Sequence, residues 1–283
     1  MSPTVIAAFD GSAGANRALE WAADDAARQG VPLRIVHVLA PWPYDISKYT
    51  VQGGPDEFTA GAGRMLAGAE ETARKRHPGL EVSTALLEGP PAKVLSEQSA
   101  ADTTIVLGSR GLGGFVGALV GSVSTSVATH SHGPVVVVRP HEGVARNEVV
   151  VGVDDSPESE PALEYALNQA RLRGATLRAI HAWQLPVHAY APEVTFDMDE
   201  VVRHQQRLVA DRLRAWREKY PDVTVHEQSP CVHPATALIE ASSSADLVVV
   251  GSRGMGAIGS IVLGSVSRAV LHHAHSPVAV VRS

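Results

Sequence analysis

A chain of 283 residues predicts two domains at the usual ~100–200 residues per domain, and a composition of 45% hydrophobic and 19% charged residues excludes a disordered polymer. The formal net charge of −6, spread over both halves without an acidic or basic tail, lacks the basic footprint that nucleic-acid binding needs. Cys231 is the only cysteine, which rules out an intramolecular disulfide and a four-thiolate zinc site. No apolar run approaches the ~20 residues of a membrane span, so a cytoplasmic chain with neither a nucleic-acid nor a membrane partner is expected.

In chain order, Val5 to Phe9 reads as a strand and Ser12 as a helix cap. Ala15, Ala18, Leu19, Ala22, Ala23 and Ala26 then recur at helical spacing until Gly30 stops the helix. Leu33 to Leu39 is the second strand, followed by a loop rich in aromatics and proline. The pattern next predicts a helix over 57–77, a strand over Val82 to Leu87, a helix over Pro91 to Ala101 and a strand over Thr103 to Leu107. A Gly-rich loop from Gly108 to Gly117, a helix over Ser122 to Ser131 and a strand over Val135 to Arg139 complete the unit.

The unit then repeats. Leu107-Gly108-Ser109-Arg110-Gly111-Leu112-Gly113 returns as Val250-Gly251-Ser252-Arg253-Gly254-Met255-Gly256, and Val120-Gly121-Ser122-Val123-Ser124 as Leu263-Gly264-Ser265-Val266-Ser267. Asp10-Gly11-Ser12 pairs with Asp154-Asp155-Ser156, and Ile35 to Val38 with Ala179 to Ala182. Gly133 to Arg139 pairs with Ser276 to Arg282. The chain reads as a duplicated domain, copies 1–140 and 148–283 joined by a polar link. Strands apolar on both faces, such as Ile105-Val106-Leu107 and Leu247 to Val250, belong in a parallel sheet covered by helices on both sides. The expected fold is therefore α/β, two tandem doubly wound parallel five-stranded sheets. The Val-rich last strands, Val135–Val138 and Val278–Val281, are expected at sheet edges, where they would pair between the two copies or between chains of a homodimer.

In open α/β sheets ligands bind beyond the carboxyl ends of the strands, where helix N-termini offer free N–H groups. The repeated spacing G-x-x-G-x9-G-S, at Gly108, Gly111, Gly121 and Ser122 and again at Gly251, Gly254, Gly264 and Ser265, falls at that edge and suits the backbone cradle of an anion. Ser122, Ser124, Ser265 and Ser267 open the following helices, as phosphate donors or as caps. Asp10 and Asp154 end the first strands and admit three roles: nucleoside contact, a magnesium bridge to phosphate, or a cap on the next helix.

These features, with the closing Pro-Val-x-Val-Val strand and all present twice, resemble the tandem universal stress proteins of the ATP-binding type, over nearly the whole chain. The resemblance implies a Rossmann-like, adenine nucleotide alpha hydrolase-like fold and an ATP site in each copy. It places Asp10, Val38, Gly108, Arg110, Gly111, Gly121, Ser122, Val123 and Ser124 around the first site, with Val38 meeting adenine through its backbone. Asp154, Ala182, Gly251, Arg253, Gly254, Gly264, Ser265, Val266 and Ser267 take those places in the second. Copy two departs where Gly89-Pro90 becomes Val232-His233 and Gly11 becomes Asp155, which adds negative charge beside the anion site. The implied cofactor is ATP, with Mg2+ as the second choice where Asp10 or Asp154 would bridge to phosphate, and the implied role is nucleotide-dependent regulation in a stress response through a protein partner not named by the sequence.

Arg110 and Arg253 offer a charge-assisted donor to phosphate or ribose, or simply face solvent. Trp42, Tyr44, Tyr49, Trp183 and Tyr190 either shelter adenine or roof the core. The chain has no G-x-x-x-x-G-K-[ST] loop, no G-x-G-x-x-G after the first strand and no G-x-S-x-G elbow. His130, His132, His272, His273 and His275 sit at the ends of the last helices, where imidazolium complements the helix dipole, which is reason enough for them without a metal. His37 and His181, inside the second strands, read as satisfied core or sheet-end residues rather than catalysts. The expected protein is a nucleotide binder with at most slow hydrolysis. The alternatives are a magnesium-dependent nucleotide hydrolase or nucleotidyl transferase, and a nucleotide-free duplicated scaffold.

Overall fold

The computed structural model describes residues 3–40, 54–113, 119–140, 145–156, 159–185, 197–254 and 263–282. The chain divides into two compact units, Met1–Pro140 and His141–Ser283. In the first unit, strands β1 (Thr4–Ala8), β2 (Leu33–Leu39), β3 (Val82–Glu88), β4 (Thr103–Gly108) and β5 (Val135–Val138) alternate with helices α1 (Ala13–Gln29), α2 (Gly54–Arg76), α3 (Pro91–Glu97) and α4 (Ser122–His130). The strands lie in the order β3-β2-β1-β4-β5, and their pairings are parallel. The chain runs outward from β1 to β3, then crosses to β4, so the strand order reverses between β1 and β4. That reversal opens a crevice at the carboxyl edge of the sheet.

The reasons for these elements are local. In α1 the alanine-rich face Ala15, Ala18, Leu19, Ala22, Ala23 and Ala26 is buried, and small side chains let the helix sit close to the sheet. Ser12 Oγ accepts from the Ala15 N–H, and Gly30 ends the helix at φ +66° with its N–H on the Ala26 and Ala27 carbonyls. Ile105, Val106 and Leu107 in β4 are buried on both faces, and each fully buried Leu or Ile contributes about 1.5–3 kcal/mol. The third helix stops at Glu97 instead of running to Ala101. There Gln98 and Ser99 donate to carbonyls three residues back, and Ser99 Oγ donates to the Ser96 carbonyl (2.5 Å), so the turn tightens and ends.

The second unit contains β6 (Glu148–Gly152), α5 (Glu160–Arg173), β7 (Thr176–Ile180), α6 (Met198–Lys219), β8 (Val225–Gln228), α7 (Pro234–Ala241), β9 (Leu247–Gly251), α8 (Ser265–His273) and β10 (Val278–Val281). Its strand order β8-β7-β6-β9-β10 repeats the first unit, again with parallel pairings. Two features differ. Helix α5 begins at Glu160, whereas α1 begins directly after Ser12, and β7 ends at Ile180, so Ala182 lies beyond the strand while Val38 lies within β2. Among the described residues no helix is long and apolar enough to cross a membrane.

Candidate functional site

Both β1 and β4 end at the crevice, and the residues that follow them meet there. Asp10 Oδ1 accepts from the Ser12 N–H (3.0 Å), and its Oδ2 accepts from the Leu112 N–H (3.1 Å) of the Gly-rich loop. A Cβ on Gly111 would collide with Asp10 Oδ2, so glycine is what lets the loop lie against the carboxylate. Gly108 is equally constrained, since its Cβ would stand 2.6 Å from the backbone carbon of Gly14. In the second unit Asp154 Oδ1 accepts from the Ser156 N–H (3.1 Å) and hydroxyl (2.5 Å), and a Cβ on Gly254 would collide with Asp154 Oδ2.

Helix α4 opens at Gly121, which has no side-chain cap, and the Gly121 N–H is anchored on the Ser109 carbonyl (2.8 Å). Its first N–H groups therefore face the crevice without an intrahelical partner. Ser122 is exposed and Val123 half-buried at this end. Ser124 is buried, and its hydroxyl donates to the Gly108 carbonyl (2.8 Å), which staples α4 to β4. Ser267 repeats the staple onto the Gly251 carbonyl (2.5 Å), with Gly264 uncapped, Ser265 exposed and Val266 half-buried.

Two arginines meet at this edge in each unit. Arg110 is exposed in the loop, and its Cα lies 3.9 Å from where a Gly121 Cβ would be. Arg139 follows β5, whose Val138 pairs with Gly108, and is 9% exposed. Burial first and the Arg110 charge second hold the Arg139 guanidinium below its ordinary pKa. Burial and Arg253 do the same to Arg282. Sequence reasoning passed over Arg139 and Arg282, although both stand at matching places in the repeat.

At the β2 end, His37 Nδ1 donates to the Phe9 carbonyl (2.6 Å), and in the second unit His181 Nδ1 donates to the Val153 carbonyl (3.1 Å). Both rings tie the second strand to the first beside the aspartate, and His181 Nε2 also lies 3.0 Å from Gln205 Oε1. Trp183 Nε1 donates to the Ser229 carbonyl (3.2 Å), whereas Trp42, Tyr44, Tyr49 and Tyr190 lie outside the described residues. His130 Nδ1 donates to the Ser126 carbonyl (2.8 Å) inside its own helix.

The carboxyl edge of each unit thus gathers an aspartate, a Gly-rich loop, an uncapped helix N-terminus and two guanidinium groups. Such an edge suits an anion of several charges. The family model for the Universal stress protein family matches residues 1–139 and 146–282. Universal stress protein Rv1996 of Mycobacterium tuberculosis is 36% identical over 304 aligned residues, spanning 98% of this chain and 94% of its own length. A universal stress protein of Mycolicibacterium smegmatis is 35% identical over 285 residues, spanning 98% and 96%. Among solved structures, a universal stress protein from Archaeoglobus fulgidus shares the fold, with a TM-score of 0.70 and 23% identity over 100% of this chain and 99% of that one.

Proposed function

The chain belongs to the universal stress protein family, and from that premise we propose that each unit binds an adenine nucleotide, ATP foremost, and that occupancy rather than turnover carries its regulatory output. The observation that carries this reading is the pair Gly121 and Gly264. Their φ angles of −74° and −57° suit any residue, and a Cβ would make only ordinary contacts of 3.6 Å and 3.5 Å at the nearest. The polypeptide itself does not require glycine at either place. A phosphate approaching the first N–H groups of α4 or α8 does, because a methyl group there would stand between ligand and backbone.

In this reading the phosphates rest on Gly121, Ser122, Val123 and the Gly108–Gly111 loop, with Arg110 as a charged donor. Asp10 and Val38 border the nucleoside end. Asp154, Ala182, Gly251, Arg253, Gly254, Gly264, Ser265 and Val266 repeat the arrangement, and Ser124 and Ser267 brace the two cradles through their bonds to the Gly108 and Gly251 carbonyls. Both Asp10 oxygens already accept N–H groups, so a magnesium ion would be held chiefly by the phosphates and water. Hydrolysis is expected to be slow. Two backbone N–H groups hold the Asp10 carboxylate against the loop, and the neutral Ser124 hydroxyl is no base, so neither is set up to take a proton from an attacking water.

Nucleotide released by acid from the purified protein, together with the thermal shift on adding ATP, tests the reading. Adenine nucleotide approaching two per chain is expected, and a ligand at 100 times its Kd should stabilise the fold by about 2.7 kcal/mol. Gly121→Ala should reduce the bound nucleotide by about one equivalent while leaving the ligand-free melting temperature unchanged. Absence of both nucleotide and shift would favour the scaffold reading.

A further inference from the structure

We infer that Asp10 is a positioning residue, a strut that holds the Gly-rich loop in place for the phosphates, so that it governs nucleotide affinity without touching the nucleoside. The inference rests on the nucleotide-binding reading of this site and assigns its best-defined carboxylate a different part in it. The two oxygens of Asp10 accept from two separate segments. One bond, to Ser12 N–H, fixes the turn from β1 into α1, and the other reaches Leu112 N–H, 102 positions further along the chain.

Among the described residues, that second bond is what ties this stretch to the first strand. Gly111, Leu112 and Gly113 are all exposed, and the Leu112 side chain is 77% exposed, so burial does not keep this segment down. A hydrogen bond to a charged acceptor is about twice as strong as a neutral one, which suits a tether on an exposed segment. Gly111 completes the device, since a Cβ there would collide with Asp10 Oδ2 and force the carboxylate and the loop apart. The second unit repeats the close approach of Gly254 to Asp154, where Asp154 also accepts twice from Ser156. An aspartate whose charge is met by backbone N–H groups also repels a nearby phosphate less than a bare one would.

The strut and a nucleoside contact predict different responses to the same variant. Affinity for ATP and for inorganic tripolyphosphate, which has no nucleoside, is measured in wild type, Asp10→Asn and Gly111→Ala, each carrying Gly264→Ala so that the first unit is read. Amide hydrogen exchange at Leu112 is followed without ligand. Asp10→Asn keeps the shape and removes one acceptor, so it should weaken both ligands equally, by about tenfold, and speed exchange at Leu112. Gly111→Ala leaves the carboxylate intact and should give the same parallel loss. Loss of ATP binding with tripolyphosphate binding and Leu112 exchange unchanged would overturn the strut in favour of direct contact. A protein that takes neither ligand would instead overturn nucleotide binding, and faster Leu112 exchange in Asp10→Asn would still support the strut.

Discussion

At Gly108 the missing Cβ answers a need of the chain itself. Its methyl group would stand 2.6 Å from the Gly14 carbonyl carbon and 2.7 Å from the Gly14 oxygen, and both are backbone atoms in the first turn of α1. A flexible side chain could move aside, but a helix packed on β4 cannot do so without cost. Gly108→Ala should therefore destabilise the first unit by about 1–3 kcal/mol, read as a lower urea midpoint. An unchanged midpoint would mean that the first turn of α1 yields freely. Gly121→Ala, by contrast, should leave the midpoint where it is. The spacing of these glycines was legible in the sequence, but their division of labour was not. Which one serves the chain depends on Gly14 and Asp10, which are distant in sequence and adjacent in space.

Between elements, the two units solve one packing problem with different chemistry. In the first, α1 and the end of α2 are joined through Asp24, which accepts from Arg76 Nε (2.6 Å), Arg76 Nη2 (2.8 Å) and His77 Nε2 (2.7 Å). In the second, Tyr220 Oη donates to Asn168 Oδ1 (3.2 Å), and Lys219 pairs with Glu164 (2.6 Å). Burial raises the Asp24 pKa, but the hydrogen bonds from Arg76 and His77 and the charges of Arg76 and Arg28 outweigh it and hold the carboxyl below its ordinary 3.8. A group depressed on folding gives stability that is complete above its unfolded value and lost as pH falls through the folded one. Asp24→Asn should thus cost about 0.5–1 kcal/mol at pH 7, discounted for partial exposure, and the difference from wild type should close as pH drops below 3.8. Urea titrations across that range check it, and a gap that persists in acid would mean the contact is not ionic. The α1 helix could be read from its alanine period because one local pattern sets it. The early end of α3 could not, since serine side chains competing for the last carbonyls decide it.

Across the molecule, duplication has kept the frame and altered the charge beside one site. Gly11 in the first unit has φ +79° and lies against Met65, whereas the second unit places the exposed Asp155 at that point of the repeat. Arg212 of α6 crosses to donate to the Ser156 carbonyl (2.5 Å), but it also pairs with Glu160 (3.0 Å), so its charge is shared. By its place after β6, Asp155 adds an exposed carboxylate on the crevice side of the second unit that has no counterpart in the first. If the proposed nucleotide binding holds, the second site should bind ATP more weakly than the first, and the weakness should be electrostatic. Asp155→Asn, made together with Gly121→Ala so that only the second site is read, should raise ATP affinity roughly threefold at low salt. Screening sharpens the test, because the Debye length falls from about 10 Å at 0.1 M to about 3 Å at 1 M. The gain should fade over that range if a charge at the rim of the site causes it. A gain that ignores salt would point to a change of loop shape, and no gain would return the difference between the sites to the later start of α5.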